Sequence, residues 1–215
     1  MKTSYVRLIG VLVLGLHLVC GCGPSRISGP ELDQTQLAVA EFIKPCDSWQ
    51  LLAGCLPEDG EPLSPEVLDT LDTILAEELE ARKVASYRGP DTVRQCQEII
   101  LFEAEDLDMS GLEFWSRIGR CVPADLLLVP QVFEWRQRQG GEWGADQPGR
   151  VVFDLFLLDV RQQKLIDRYH CEKEQKSLTE DLFGLGRFFR RGGKWITAEA
   201  LAREGMNEAL EALGL

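Results

Sequence analysis

The reactive side chain with the most informative surroundings in this chain is the thiol of Cys22. Two cations open the chain, residues 8–19 form an apolar run, and the small Gly21 directly precedes Cys22. This arrangement is typical of a secretory signal that ends in a cleavage site. The apolar run is too short to span a bilayer, which needs about 20 residues. We therefore expect residues 1–21 to be a signal peptide that directs export of the chain.

The end of this signal resembles the lipobox of bacterial lipoproteins, through the residues Val-Cys-Gly-Cys at positions 19–22. In that family the last Cys is acylated and becomes the new amino terminus. The resemblance implies that Cys22 carries palmitate or similar acyl chains, so membrane lipid is its first partner. Gly23, where inner-membrane lipoproteins carry Asp, implies the outer membrane, facing the periplasm. The alternative is an ordinary cleaved signal that leaves Cys22 unmodified.

Export would place the remaining cysteines in a compartment where disulfides persist. Cys46 and Cys55 flank a short segment, and we predict a disulfide between them. The sequence also allows a bond between Cys96 and Cys121, although no spacing argument favours it. Cys171 is expected to be a small buried apolar residue. No Cys-x-x-Cys pair is left in the mature chain, so we predict no zinc site or other metal site.

His170 is the histidine that remains once the signal is removed, so any histidine-dependent catalysis must use it. It lies in a predicted strand, where the adjacent Cys171 must point to the opposite face, which excludes a Cys-His dyad. Asp167 falls on the Cys171 side and is poorly placed to orient the imidazole. We therefore expect His170 to be solvated or paired across strands. The sequence predicts no catalytic residue and no cofactor, and we expect the protein not to be an enzyme.

Composition favours a folded, acidic protein. The formal charge of the chain is −12, and loss of Lys2 and Arg7 with the signal makes the mature chain more negative still. Such a surface repels phosphate backbones, so we expect no nucleic-acid partner. We predict a lipidated Cys and flexible tether at residues 22–35, followed by one periplasmic α/β domain at residues 36–215.

The hydrophobic pattern alternates between the periods of strands and helices. Strands are predicted at 36–43, 84–87, 126–136, 151–160 and 164–174, and helices at about 65–83, 91–104, 110–122 and from 197 onward. The two runs beginning at Leu126 and Val151 are apolar enough to be covered on both faces. Pro130 within the first of them predicts a sheet edge or a bulge. We expect a mixed sheet of about five strands flanked by helices.

Side-chain directions follow from these periods. In the helix at 91–104 we expect Val93, Cys96, Ile99 and Ile100 to point inward. In the last strand we expect Leu165 to share a face with Tyr169 and Cys171.

The segment 187–195 is the one basic, aromatic-rich stretch of this acidic chain. One interpretation is a surface for an acidic partner, anionic lipid or cell-wall polymer, with aromatic anchoring. The other is a loop whose aromatic rings fill the core while its cations stay in water. The residues proposed for the partner or membrane surface are Arg187, Phe188, Arg190, Arg191, Lys194 and Trp195.

The predicted strands resemble those of a group of bacterial envelope lipoproteins. The residues that carry the resemblance are QLAVAEF at 36–42, ADLLLV at 124–129 and VFDLFLLDV at 152–160. They look like the superfamily of the curli-secretion channel lipoprotein and the penicillin-binding-protein activator lipoproteins. The resemblance implies a non-enzymatic binding or scaffolding module in envelope assembly, secretion or wall-enzyme regulation, with an envelope protein partner. A ring-forming, oligomeric secretion subunit and an envelope hydrolase with carboxylates brought together by the fold are the alternatives.

Overall fold

The computed structural model describes residues 36–56, 62–84, 86–104, 108–141, 144–174 and 196–215. These residues belong to one compact unit, Leu32–Leu215. The predicted signal, Cys22, the whole predicted tether 22–35 and the whole basic segment 187–195 lie outside the described residues. What is described contains a five-stranded mixed sheet and four helices, which confirms the predicted α/β class.

The predicted elements occur in the predicted order, and two short strands that were not predicted, β4 and β5, lie between the long ones. The strands are β1 (Leu37–Val39), β2 (Tyr87–Arg88), β3 (Leu126–Arg136), β4 (Gln139–Gly141), β5 (Gly144–Gln147), β6 (Arg150–Asp159) and β7 (Lys164–Glu174). The helices are α1 (Pro65–Ala81), α2 (Pro90–Glu103), α3 (Gly111–Cys121) and α4 (Ala198–Leu213). The main sheet has the order β2-β1-β3-β6-β7, and β4 pairs with β5 as a separate ribbon. The pairs of β1 with β2 and β3 are parallel, whereas β3–β6 and β6–β7 are antiparallel.

Helices cover both faces of the sheet because β3 and β6 carry apolar side chains on both sides. On the first face α1 and α4 pack against Leu128, Phe153 and Leu155. On the second face α2 and α3 pack against Leu127 and Phe156. Among the described helices, none combines the length and the apolar composition that a membrane span requires.

Two helices begin at a residue whose side chain caps the first turn. The Ser110 hydroxyl accepts a hydrogen bond from the Glu113 N–H at 3.2 Å, and the Thr197 hydroxyl accepts one from the Ala200 N–H at 3.3 Å. Each bond satisfies an amide that the first turn of a helix leaves without a partner. At the other end of α4, Gly214 adopts a left-handed conformation with φ of 77°, which glycine adopts without strain.

Close approach of α4 to the sheet depends on Gly205. A Cβ atom at that position would overlap Sγ of Cys171 and approach the Phe153 ring to 3.0 Å. Cys171 is buried, and its burial raises the thiol pKa to about 12. This thiol is therefore a packing group at neutral pH, as expected from the sequence.

The strand β3 is neither an edge strand nor irregular at Pro130, so the prediction of an edge or bulge at that residue is wrong. The Pro130 carbonyl accepts a hydrogen bond from the Ile43 N–H at 3.4 Å. The N–H that proline lacks would point to the same side, where β1 has already ended at Val39. No ladder bond is lost there, and the bulge of β3 lies between Val132 and Glu134.

The prediction that Leu165 shares a face with Tyr169 and Cys171 is also wrong. A register shift in the β6–β7 ladder leaves Ile166 as an extra residue in β7. An extra residue reverses the alternation of side chains. Leu165 therefore packs against the cluster under α2 and α3, whereas Tyr169 packs against the opposite cluster.

One acid of α1 connects the helix to the end of β1. The Asp72 carboxylate accepts a hydrogen bond from the Phe42 N–H at 2.7 Å. Burial is the largest influence on this carboxyl group and raises its pKa from 3.8 to about 7, against the opposing effect of that hydrogen bond. Between these two values the folded protein holds a proton that the unfolded chain has released. The stability contributed by this protonation is present below the lower value and is lost as pH rises through the upper one.

We predict that Asp72→Asn removes this pH dependence, because an amide oxygen still accepts the Phe42 N–H but the side chain no longer ionises. Chemical denaturation from about pH 4 to about pH 8 should show the variant gaining stability relative to the wild type as pH rises. Glu80→Gln, an exposed position of the same helix, is the control. A constant difference between Asp72→Asn and the wild type across this range would contradict the prediction.

Candidate functional site

A set of polar and charged side chains lies on the second face of the sheet, at the end near the β4–β5 ribbon. We name this set the polar face. It is defined by Gln131 and Glu134 of β3, Arg150 and Asp154 of β6, and Arg168, His170, Glu172 and Glu174 of β7. The ladder places Asp154 opposite His170 and Phe156 opposite Arg168, all on this one face. The polar face is therefore the place where the chain gathers groups that could act in acid-base chemistry.

Asp154 is the centre of the polar face. Its carboxylate is fully buried and accepts hydrogen bonds from Nδ1 of His170 at 2.6 Å and from Nη2 of Arg168 at 2.7 Å. The Arg168 guanidinium also lies 5.5 Å from the centre of the Phe156 ring. The cross-strand pairing expected for His170 is thus observed, and Asp154 is the partner that the sequence reasoning missed.

The Asp154–His170 pair has the form of the acid and base of a hydrolytic triad. The carboxylate orients Nδ1, and the opposite Nε2 lies 4.0 Å from Glu172. A triad also needs a hydroxyl or thiol beside Nε2, and among the described residues no such group is hydrogen-bonded to His170. Cys171 points to the other face, where it is buried. The geometry of this pair supports a structural role.

The arginines of the polar face are engaged with acids. Arg150 contacts Glu134 at 2.7 Å, Glu172 at 2.8 Å and Glu174 at 3.3 Å. These contacts raise the pKa of Arg150, the hydrogen bond to Glu134 most of all. Because the cations are already paired, this surface offers little attraction to an anionic ligand. The described residues contain no group of three His, Cys, Asp or Glu side chains that could hold a metal ion.

We predict that Asp154→Asn lowers the free energy of unfolding by about 2 kcal/mol, because Arg168 loses a buried carboxylate partner. His170→Gln should cost less than about 1 kcal/mol, since a side-chain amide can still donate to Asp154. Urea denaturation at neutral pH measures both values. An Asp154→Asn protein as stable as the wild type would contradict the structural role of the pair.

The segment that carries Cys46 and Cys55 lies beside the polar face. The buried side chain of Gln131 donates to the Gln50 carbonyl at 2.7 Å, and the indole N–H of Trp115 donates to the same oxygen at 2.8 Å. The middle of the segment is therefore attached directly to β3 and α3.

The structure corrects the predicted disulfide between Cys46 and Cys55. Both are exposed free thiols, whereas Cys96 of α2 and Cys121 of α3 form a disulfide. Without a bond between its two ends, the segment is held at its middle by the hydrogen bonds that the Gln50 carbonyl accepts from Gln131 and Trp115. The observed bond joins two helices that sequence spacing could not show to be neighbours.

The helix α2 has an exposed face with two large apolar side chains, and we name this face the α2 patch. The side chain of Phe102 is 91% exposed and that of Ile99 is 49% exposed. An open groove of about 560 Å³ is lined by the residues of the patch, which are Gln95, Glu98, Ile99, Phe102 and Glu103. An exposed apolar cluster with a polar rim is typical of a protein-binding surface.

Helical geometry explains why this face looks outward. Val93 and Cys96 are the buried residues of α2, and Ile100 is half-buried against the same cluster. At 100° per residue, Phe102 lies about 150° from their mean direction. Ile99 lies about 90° from it, at the boundary of the buried stripe. The prediction that Ile99 points inward is wrong for this reason.

Few side chains attach α2 to the domain. Val93 and Cys96 are buried, and Ile100 and Leu101 are partly buried against the same cluster. Arg94 forms an ion pair with Glu41 at 3.0 Å. The disulfide from Cys96 to Cys121 adds a covalent link to α3 across 25 residues of sequence. The orientation of the α2 patch therefore depends strongly on this bond.

We predict that Cys96→Ala combined with Cys121→Ala costs about 3 kcal/mol of stability, from the lost restraint on the unfolded chain. Amide hydrogen exchange should accelerate in α2 far more than in α1, which buries the side chains of Leu71, Ile74 and Leu75 against the sheet. Equal acceleration in both helices would show that the disulfide has no special role at α2.

Comparison with solved structures finds similarity at low sequence identity. Neither a protein-family model nor a curated protein matches the sequence. A PelC dodecamer from Paraburkholderia phytofirmans is 16% identical, with 83% of this chain and 86% of that chain covered and a TM-score of 0.45. The LpoB C-terminal domain from Escherichia coli is 14% identical, with 66% and 83% covered and a TM-score of 0.37.

Lipoprotein GNA1162 from Neisseria meningitidis is 12% identical, with 74% of this chain and 98% of that chain covered and a TM-score of 0.37. Matches this distant carry no argument about function, so the function is argued from the residues of this chain.

Proposed function

We propose that this chain is a lipid-anchored envelope protein that acts by binding another envelope protein, without catalysis, through the α2 patch. The single observation that carries the proposal is the exposure of Phe102 beside Ile99 on the outer face of a helix. Leaving a side chain of this size in water forgoes about 1.5–3 kcal/mol of burial. A partner that covers Phe102 would recover that free energy on binding.

The sequence of the first residues supports the location. The signal-like residues 1–21 and the lipobox at Cys22 favour an acylated amino terminus, and Gly23 favours the outer membrane. A tether of residues 22–35 spans at most about 50 Å when fully extended. The domain would then work close to the membrane surface, on the periplasmic side.

The polar face supports a non-catalytic role. Its one histidine donates toward Asp154, and its arginines are paired with carboxylates. The two alternatives drawn from the sequence, a ring-forming secretion subunit and an envelope hydrolase, stay predictions, because no observation on the described residues favours either.

Photo-crosslinking in intact envelopes tests the proposal. With p-benzoylphenylalanine in place of Phe102 in the full-length chain, we expect a crosslinked adduct to another envelope protein. The same group in place of Ile166, which is 42% exposed on β7, is the control and should give little adduct. Cys22→Ser should abolish lipidation and lower the yield at position 102, because the domain is no longer held at the membrane. Equal yields at positions 102 and 166, or no protein adduct at 102, would refute the α2 patch as the binding surface.

A further inference from the structure

The chain around Phe102 is strongly acidic, which restricts what the α2 patch can bind. Between Gln95 and Ser116 there is no Lys or Arg, whereas Asp or Glu occurs six times. Two of these acids, Glu98 and Glu103, belong to the α2 patch itself. The apolar side chains of the patch therefore lie beside two acids, in a stretch of sequence that contains no cation.

The cation nearest in sequence to the patch is already engaged. Nη1 of Arg94 lies 3.0 Å from Glu41, and its Nη2 lies 2.6 Å from Asp91. Within the described part of the chain, no Lys or Arg forms an ion pair with Glu98 or Glu103. These two carboxylates are available to meet positive charge on a partner.

The charge excludes several occupants of the patch. Anionic lipid head groups and nucleic acid would be repelled by the negative charge of the chain. A second α2 patch, packed face to face, would oppose Glu98 and Glu103 with identical acids at the contact. A membrane surface and a symmetric pair of α2 patches are both disfavoured.

The size and shape of the patch indicate which kind of partner can bind it. Phe102 and Ile99 are one turn apart along the helix, so together they offer a short apolar strip with acids on its border. Such a strip matches a short segment with one or two apolar anchors rather than a wide obligate interface.

We infer that the α2 patch binds a basic amphipathic segment of a partner protein, in which Lys or Arg side chains flank an aliphatic or aromatic anchor. The anchor covers Phe102 and Ile99, and the flanking cations face Glu98 and Glu103. This inference rests on the proposed function and adds the chemistry of the partner to it.

The test combines crosslinking with reversal of charge on the patch. The full-length chain carries p-benzoylphenylalanine at position 102, and the contacted partner peptide is identified by mass spectrometry. We expect a peptide with net positive charge within about ten residues of the crosslink. Glu98→Lys combined with Glu103→Lys should lower the yield about tenfold, because two attractions become repulsions.

A matched control reverses two charges elsewhere. Glu80→Lys with Glu211→Lys makes the same change in net charge at exposed positions of α1 and α4, and should leave the yield within about twofold. An acidic or neutral captured peptide, capture of the basic segment 187–195 of a second copy, or equal losses in the two double variants would each overturn the inference.

The outcomes separate this inference from the proposed function. If position 102 gives no protein adduct, both the proposed function and this inference are refuted. A reproducible protein adduct whose yield is unchanged by Glu98→Lys with Glu103→Lys keeps the α2 patch as a binding surface but removes the basic partner.

Discussion

The structure depends on the burial of β3 and β6 on both faces. These neighbouring strands carry apolar side chains in both directions over most of their length, so neither can lie at a solvated surface. Helices α1 and α4 cover one face, and α2 and α3 cover the other. The second pair reaches only part of its face, and the remainder is closed by hydrogen bonds and ion pairs around Asp154. The polar face thus continues the second face of the sheet beyond the apolar core. This position explains why its charged groups pair with one another.

The same constraint decides the exposure of α2. It covers the side of the sheet where β1 and β2 are short, so it has little apolar surface to pack against. Val93 and Cys96 are buried, Ile100 and Leu101 are partly buried, and the disulfide to Cys121 joins the helix to α3. The opposite side of the helix is then free to carry Ile99 and Phe102, whose exposure has no structural benefit within the described domain. Few side chains attach α2 to the domain, and its outer side carries an exposed apolar strip. Both features are consistent with a helix that contacts another protein.

The sequence was sufficient to predict the helices and strands but not the contacts between them. The bounds of β3 and β7 match the predicted ones to the residue, because long apolar or alternating runs ended by polar turns leave little freedom. The face of Leu165 was missed because a single bulge residue does not disturb the hydrophobic pattern enough to be visible. Asp154 could have been found as the one charge inside an apolar strand, but its pairing with His170 requires the β6–β7 register. The direction of Ile99 was missed because this residue lies at the edge of its helical stripe.

The central claim is that another protein covers Phe102 in the envelope. Thiol labelling measures this directly when Phe102→Cys, and separately Ile166→Cys, is placed in a chain whose exposed Cys46 and Cys55 have been changed to Ala. The account predicts that position 102 reacts rapidly in the purified protein and slowly in intact envelopes, while position 166 reacts rapidly in both. Equal reactivity of position 102 in the purified protein and in envelopes would contradict it.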